Sequence, residues 1–497
     1  MIVSRLTARR SDNDTFYRGN RRSPWYMVAY GMVGASISGV TFVSVPGMVM
    51  HTDMTYMQTC LGFILGYFAV AFLLLPAYYK LNLTTIYSFL QQRLGREGHQ
   101  TGASFFLLSK MTGAAVRFYV VCLILHRFVV EPLLSSVSYC NTATNLTFGL
   151  TVALMVVWIW VYTRRGGIKT LVWTDTLQTT CMFTALILII YNVVGMLDMS
   201  MGEALTAVFQ DEHSRMFVWD DWVSKQNFWK QFLSGIFIVI VMTGLDQDMM
   251  QKNLTCKSLR DAQKDMCTYG FAFVPANLLF MVLGVMLMML ATKQGIALPE
   301  NSDELLPMFA ATGRLGQAVV VLFTVGIVAA SFSSADSALT AMTTTWCVDI
   351  AQRPKDERLR RRVHIAMALV FAVIILMVKA LNSTSVIDAI YILCSYTYGP
   401  LLGLFAYAFF MGREEREERI VNRFQKGVES YLTPRTSLFV HQKQTIVCIL
   451  SPLLCYALNL LVAKTTGYQF GYELLMLNGL FTFLGLWITD RKKKLSE

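Results

Sequence analysis

Apolar stretches of about 20 residues recur from Pro24 to Asp490, separated by short polar connections. A helix of that length rises about 30 Å, the thickness of a bilayer's hydrocarbon core. Twelve such spans are expected, at about 25–48, 57–79, 103–128, 146–163, 168–196, 230–250, 266–291, 316–349, 364–381, 385–411, 444–463 and 470–489. A length of 497 residues would suggest several domains in a soluble chain. Here 55% of residues are hydrophobic and 15% charged, against about a quarter charged in soluble proteins. The spans therefore form one all-α, polytopic membrane bundle.

The net charge of +11 does not mark a nucleic-acid binder, because the basic residues sit in short connections between spans. Arg5, Arg9, Arg10, Arg18, Arg21 and Arg22 precede span 1, and Arg164 and Arg165 follow span 4. Lys252, Lys257, Arg260 and Lys264 follow span 6, Arg358 and Arg360 to Arg362 follow span 8, and Arg413, Arg416, Arg419 and Arg423 follow span 10. Arg491 to Lys494 end the chain, and the longest alternate connection carries Asp211, Glu212, Asp220 and Asp221. Every second connection is thus basic, which places both ends in the cytoplasm of a plasma or inner membrane. An even number of spans requires the same. The first fifteen residues are polar and basic, unlike a cleavable signal. Residues 413–419 alternate arginine with glutamate pairs, as a solvated helix end does. The ten cysteines form no CxxC pair or Cys/His cluster and read as small buried apolar residues.

Some residues do not suit a lipid-facing helix. Span 1 contains Gly31, Gly34, Ser36, Ser38, Gly39 and then Pro46-Gly47, which weaken a helix. Breaking it frees carbonyls near the bilayer midplane for a cation, whereas the alternative is close packing through small residues. Span 8 reads Ala329-Ala330-Ser331-Phe332-Ser333-Ser334-Ala335-Asp336-Ser337. The hydroxyls of Ser333 and Ser334 fall one turn beyond the Ala330 carbonyl and either bond back to it or join it around a hard cation. Asp336 on span 8 and Asp175 on span 5 are intramembrane carboxylates, each needing a partner unless, as Lys169 permits for Asp175, it reaches water. Arg117 lies deep in span 3. Its partner is Asp175, Asp336 or the carboxylate of a bound solute.

Four segments together resemble the sodium:solute symporter family, which includes sugar, proline, sialic-acid and monocarboxylate symporters. They are GASISGVTFVSVPG in span 1, RRGGIKTLVWTDTLQ entering span 5, GLDQDMMQKNLTCKSLRDAQK leaving span 6 and IVAASFSSADSALTAMTTTWCVDI in span 8. The resemblance implies a LeuT-type inverted repeat of five plus five helices. The first repeat would cover 25–196 and the second 230–411, with an extracytoplasmic loop at 197–229. A basic arm at 1–24, a cytoplasmic loop at 412–443, two peripheral helices within 444–489 and a basic tail at 490–497 complete the chain. Span 6 would be the second broken helix, interrupted near Thr243-Gly244. Family members begin with a further helix, and this chain starts at Met1-Ile2-Val3-Ser4-Arg5, where that helix would be ending.

Carried over by position, the resemblance implies a sodium ion on the carbonyls of Gly34, Ile37 and Ala330 and the hydroxyls of Ser333 and Ser334. Glycine at position 34 replaces the family's usual alanine, which leaves the carbonyl ligand intact. Some relatives have a second cation site, corresponding here to Asp175, Ser334 and Ser337, with Asp336 adding a carboxylate that relatives lack. Ser36, Ser38, Thr41, Cys60, Arg117, Met242 and Thr243 would face the solute. Cys60 stands where sugar-transporting members hold a sugar-contacting carboxylate, and Arg117 stands where sialic-acid members bind the substrate's carboxylate. The expected function is sodium-coupled import of a small organic anion, such as sialic acid or a monocarboxylate, by alternating access. Symport of a sugar or a proline-like amino acid is the alternative. An enzyme is not expected: no HExxH, GxSxG or paired catalytic His/Asp arrangement is present.

Overall fold

A computed structural model describes residues 16–17, 19–81, 83–131, 144–381, 386–412, 443–468 and 470–496. Residues 1–15 and the charge run at 413–419 lie outside these. Each of the twelve expected intervals is helical, and no strand occurs among the described residues. Among the described residues, seven helices are long and apolar enough to cross a membrane, or nine with each of two bent pairs taken as one span. Spans 4 and 5 form one continuous helical element, Thr144–Met196, with apolar stretches at Leu146–Val161 and Thr170–Met196. Separate helices were expected there. The intervening Arg-Arg-Gly-Gly stretch holds no proline, and a glycine costs a helix only about 1 kcal/mol.

Two spans are interrupted at their middles. Span 1 divides into Trp25–Ser36 and Gly39–Thr52, with Ile37 and Ser38 outside helical geometry. Span 6 runs from Phe228 to Val239, widens into a π-type turn at Ile240–Gly244, and resumes at Gln247–Asn253 after a bend of 70°. Span 8 is a continuous helix, Gln317–Thr345, and packs most extensively on the helix that carries span 5. Span 3 occupies the second half of Ser88–Leu125 and runs on into a π-type turn at His126–Val130. Span 10 bends by 42° between Ile390–Thr397 and Gly399–Phe410, where Pro400 in the first turn of the second helix has no N–H to continue the ladder from the first.

Spans 2 and 6 cross at glycines. A Cβ on Gly62 would lie 2.1 Å from the Phe232 carbonyl oxygen, and one on Gly235 would lie 2.3 Å from that of Thr59. Only hydrogen at both positions lets the backbones approach this closely. Span 11, Lys443–Thr466, has 17% of its most apolar window buried, so it rides on the outside of the bundle. The long connection after span 5 is structured. Ser200 and Glu203 form a capping box on Met201–Gln210, and His213 reaches Asp53 at 3.0 Å, tying the connection to the turn between spans 1 and 2.

Candidate functional site

The break in span 1 redirects its backbone. The Ser38 N–H turns to the Ser36 carbonyl at 2.9 Å instead of continuing the helical ladder, and the next helix opens with Phe42 N–H on Ser38. Among the described residues, the carbonyls of Gly34, Ala35 and Ile37 receive no backbone N–H. Span 8 supplies hydroxyls beside them. Ser334 Oγ donates to the Ala35 carbonyl at 3.1 Å and to Ala330 at 3.3 Å. Ser333 Oγ does not bond back; it donates to Asp175 Oδ1 at 2.8 Å. A hydroxyl whose proton is held by a carboxylate keeps its lone pairs for a cation. Span 1 can approach span 5 this closely because position 34 lacks a side chain. A Cβ there would lie 1.8 Å from Thr179 Oγ1, so Thr179 fills the space that an alanine would need.

The charges behind this neutral pair form a second layer. Asp175 is almost fully buried and meets Lys252 Nζ at 2.8 Å, which excludes the water-reaching position that Lys169 suggested. Lys252 itself was read as part of a basic connection; the bend in span 6 turns it inward, and it is buried. Asp336 is fully buried within electrostatic reach of Lys252, and Ser337 donates to Asp248 Oδ2 at 3.4 Å and to the Ser333 carbonyl at 2.7 Å. Lys110 of span 3 bridges Asp248 at 2.6 Å and Asp246 at 3.1 Å, and Tyr398 of span 10 donates to Asp246 at 2.6 Å. Asp246 also caps the resumed helix by accepting the N–H groups of Asp248 and Met249. A carboxylate in hydrocarbon is expensive unless paired, and Lys252 meets that need for Asp175, as Lys110 does for the Asp246 and Asp248 pair it shares.

Between the two broken spans lies a cavity enclosing about 940 Å³ with its open mouth. Ser36, Ser38, Thr41, Arg117, Met242 and Thr243 line it. Cys60 does not; it is fully buried and off the lining. Aromatic residues form much of the wall. Tyr67 and Tyr269 stack edge to face with centroids 4.5 Å apart, the Tyr269 hydroxyl bonds Ser36, and Tyr56 bonds Tyr391 at 2.8 Å. Arg117 also lines a smaller adjoining cavity with Ser38 and Ser334. No carboxylate among the described residues pairs with it: Asp175 is engaged by Lys252 and Ser333. The sequence reading missed Lys110, Asp246, Asp248, Tyr398 and the aromatic wall. Lys110 carried a usable signal, since it is a second cation within span 3, seven residues before Arg117.

A helical membrane bundle with two interrupted helices meeting at a central cavity defines a secondary transporter. The pattern of the sodium:solute symporter family matches residues 16–417, and the chain belongs to that family. It is therefore a membrane-spanning, sodium-coupled symporter and not an enzyme. It is 25% identical over 435 residues to the sodium/sialic acid symporter NanT of Aliivibrio fischeri, covering 83% of this chain and 81% of that one. It is 23% identical over 437 residues to the sodium/sialic acid symporter SiaT of Proteus mirabilis, covering 84% and 83%. The fold matches the substrate-bound, outward-open structure of a Na+-coupled sialic acid symporter with a TM-score of 0.76 at 19% identity, over 97% of this chain and 93% of that one. The structure of Mhp1, a nucleobase-cation-symport-1 family transporter, in a closed conformation is similar with a TM-score of 0.55 at 17% identity, over 95% and 92%. These likenesses establish the LeuT-type fold.

Proposed function

We propose that this symporter imports an organic anion of the sialic-acid or monocarboxylate kind, with its carboxylate on Arg117. The observation that carries this reading is Arg117 itself: a guanidinium on the cavity wall with no carboxylate partner among the described residues. A planar, permanently charged fork in that position is suited to bidentate capture of a carboxylate. The likeness to sialic-acid symporters of Aliivibrio fischeri and Proteus mirabilis supports the same class.

Sodium would sit between the break in span 1 and span 8, on the carbonyls of Gly34, Ile37 and Ala330 and the hydroxyls of Ser333 and Ser334. Five neutral oxygens suit a monovalent ion that must be released again. A second cation at Asp175, Ser334, Asp336 and Ser337 would compete with the Lys252 ammonium already on Asp175. Arg117 and Ser334 line the same small cavity, so sodium at Ser334 and a carboxylate on Arg117 would attract each other across it. That attraction is the differential interaction coupling requires. With both ends cytoplasmic, as the alternation of basic connections supports, the membrane potential adds about 2.3 kcal/mol per charge per 100 mV. The repeats at 25–196 and 230–411 would rock about the cavity.

A sodium-dependent thermal-shift screen tests the substrate class. Small carboxylates and sialic acid should raise the unfolding temperature in sodium and not in potassium, whereas stabilisation only by neutral sugars or by proline would refute the Arg117 reading.

A further inference from the structure

The carbonyls proposed as sodium ligands on span 1 are not aimed by the same means. Gly34 belongs to the helix Trp25–Ser36, which fixes its direction. Ile37 lies beyond that helix, and its φ of −76° and ψ of 79° make it the centre of an inverse γ-turn. The turn is closed by the Ser38 N–H on the Ser36 carbonyl at 2.9 Å. The Ile37 carbonyl points out of the turn and receives no backbone N–H among the described residues. Its direction follows from the Ile37 backbone angles, so whatever holds the neighbouring Ser36 helps to aim it. Two side chains do so. Ser334 donates to the Ala35 carbonyl at 3.1 Å, fixing the peptide that enters Ser36. The Ser36 hydroxyl bonds that of Tyr269, on the helix Leu259–Gln294 that carries span 7. Tyr269 is almost fully buried, and its ring meets Tyr67 and Phe273 edge to face at 4.5 and 6.0 Å between centroids. The hydroxyl on that ring is therefore held in place by packing on two sides.

The Tyr67 and Thr243 hydroxyls lie within hydrogen-bonding reach of the same oxygen. Thr243 belongs to the π-type turn of span 6, so Tyr269 stands where the two interruptions meet. A shell of neutral oxygens holds an ion well only when all are already aimed at it, because each group ordered on binding subtracts from affinity. We propose that Tyr269 is a positioning residue for sodium: it touches no ion, and through Ser36 it aims the Ile37 carbonyl at the site between spans 1 and 8. This rests on the sodium site proposed above and deepens it with a residue from span 7. A tyrosine that only packed the cavity wall would, when altered, change stability and leave sodium affinity as it was.

Thermal unfolding of the full chain in detergent, without solute and across sodium concentrations balanced with choline, tests this. The rise in unfolding temperature gives the half-saturating sodium concentration. Tyr269→Phe removes only the hydroxyl and keeps both ring contacts. It should raise that concentration about three- to tenfold, the worth of one neutral hydrogen bond. Ser36→Ala should do the same, and the double variant should do no more than either alone, because the same bond is lost in all three. Should Tyr269→Phe fail to fold, Ser36→Ala alone gives the answer by the same shift. Unchanged half-saturation in either variant would overturn the positioning role and leave the sodium site standing, as would effects that multiply in the double variant. An unmodified protein that sodium does not stabilise would remove the sodium site, and the role of Tyr269 with it.

Discussion

The two interrupted helices solve the same problem in opposite ways. In span 6 the resumed helix begins with Asp246, whose carboxylate caps the freed N–H groups and is itself neutralised by Lys110. The interruption is closed by the chain's own charges. In span 1 the freed groups are carbonyls; Ser334 reaches Ala35, and no side chain of opposite charge is supplied. The first arrangement is complete as it stands, whereas the second leaves carbonyl oxygens that the proposed sodium ion would complete. Internal charge compensation holds the span 6 interruption rigid, and uncompensated oxygens at span 1 suit the proposed site of a releasable ion.

Substitutions can break this contrast, because the two regions should fail in different ways. The largest effect is expected beyond the span 6 interruption. Lys252→Met leaves the Asp175 carboxylate buried without its counter-charge, which should lower stability by about 3–5 kcal/mol with or without sodium. Thermal unfolding in detergent measures this, and Asp175→Asn on the same chain should restore most of it. Arg117→Ala should do the reverse. It should weaken acid binding by about 2–5 kcal/mol, roughly 30-fold or more, and leave the unfolding temperature without solute unchanged. A large loss of stability would show instead that Arg117 is paired within the protein.

At the span 1 interruption, Ser333→Ala with Ser334→Ala should raise the sodium concentration for half-saturation at least about tenfold, or about 1.4 kcal/mol. Stability in sodium-free buffer should fall by about 2–4 kcal/mol, the worth of one hydrogen bond to a buried carboxylate and one neutral one. The smallest test concerns packing. Gly34→Ala drives a methyl into Thr179 and should cost about 1–3 kcal/mol, with Thr179→Ala recovering part of it. Full tolerance of Gly34→Ala would mean that spans 1 and 5 sit further apart than described here.

Features written into local sequence could be read in advance. Apolar length located the helices, and Gly34, Ser36, Ser38 and Gly39 marked the interruption in span 1, since small and hydroxyl residues weaken a helix wherever they cluster. The span 6 interruption fell one or two residues beyond Thr243-Gly244, at Leu245-Asp246. Features that depend on three-dimensional proximity could not be read. Lys252 looked like one more basic residue in a connection, and only the 70° bend shows that it points into the bundle. The join of spans 4 and 5 was missed because Arg-Arg-Gly-Gly resembles a turn and remains helical. Cys60 was placed by analogy with a sugar contact; it is fully buried beside Tyr56 and Tyr391, which line the cavity in its stead. The pairing of Lys110 with Asp246 and Asp248 joins residues 136 and 138 positions apart, beyond any local pattern.

The central claim is that sodium held between spans 1 and 8 drives an acid into the cavity of Arg117. Uptake of labelled sialic acid into proteoliposomes tests it most directly, comparing an inward sodium gradient with an equal potassium gradient. The account predicts accumulation above equilibrium in sodium alone, abolished in Ser333→Ala with Ser334→Ala. Equal uptake in potassium, or undiminished sodium dependence in that double variant, would contradict it.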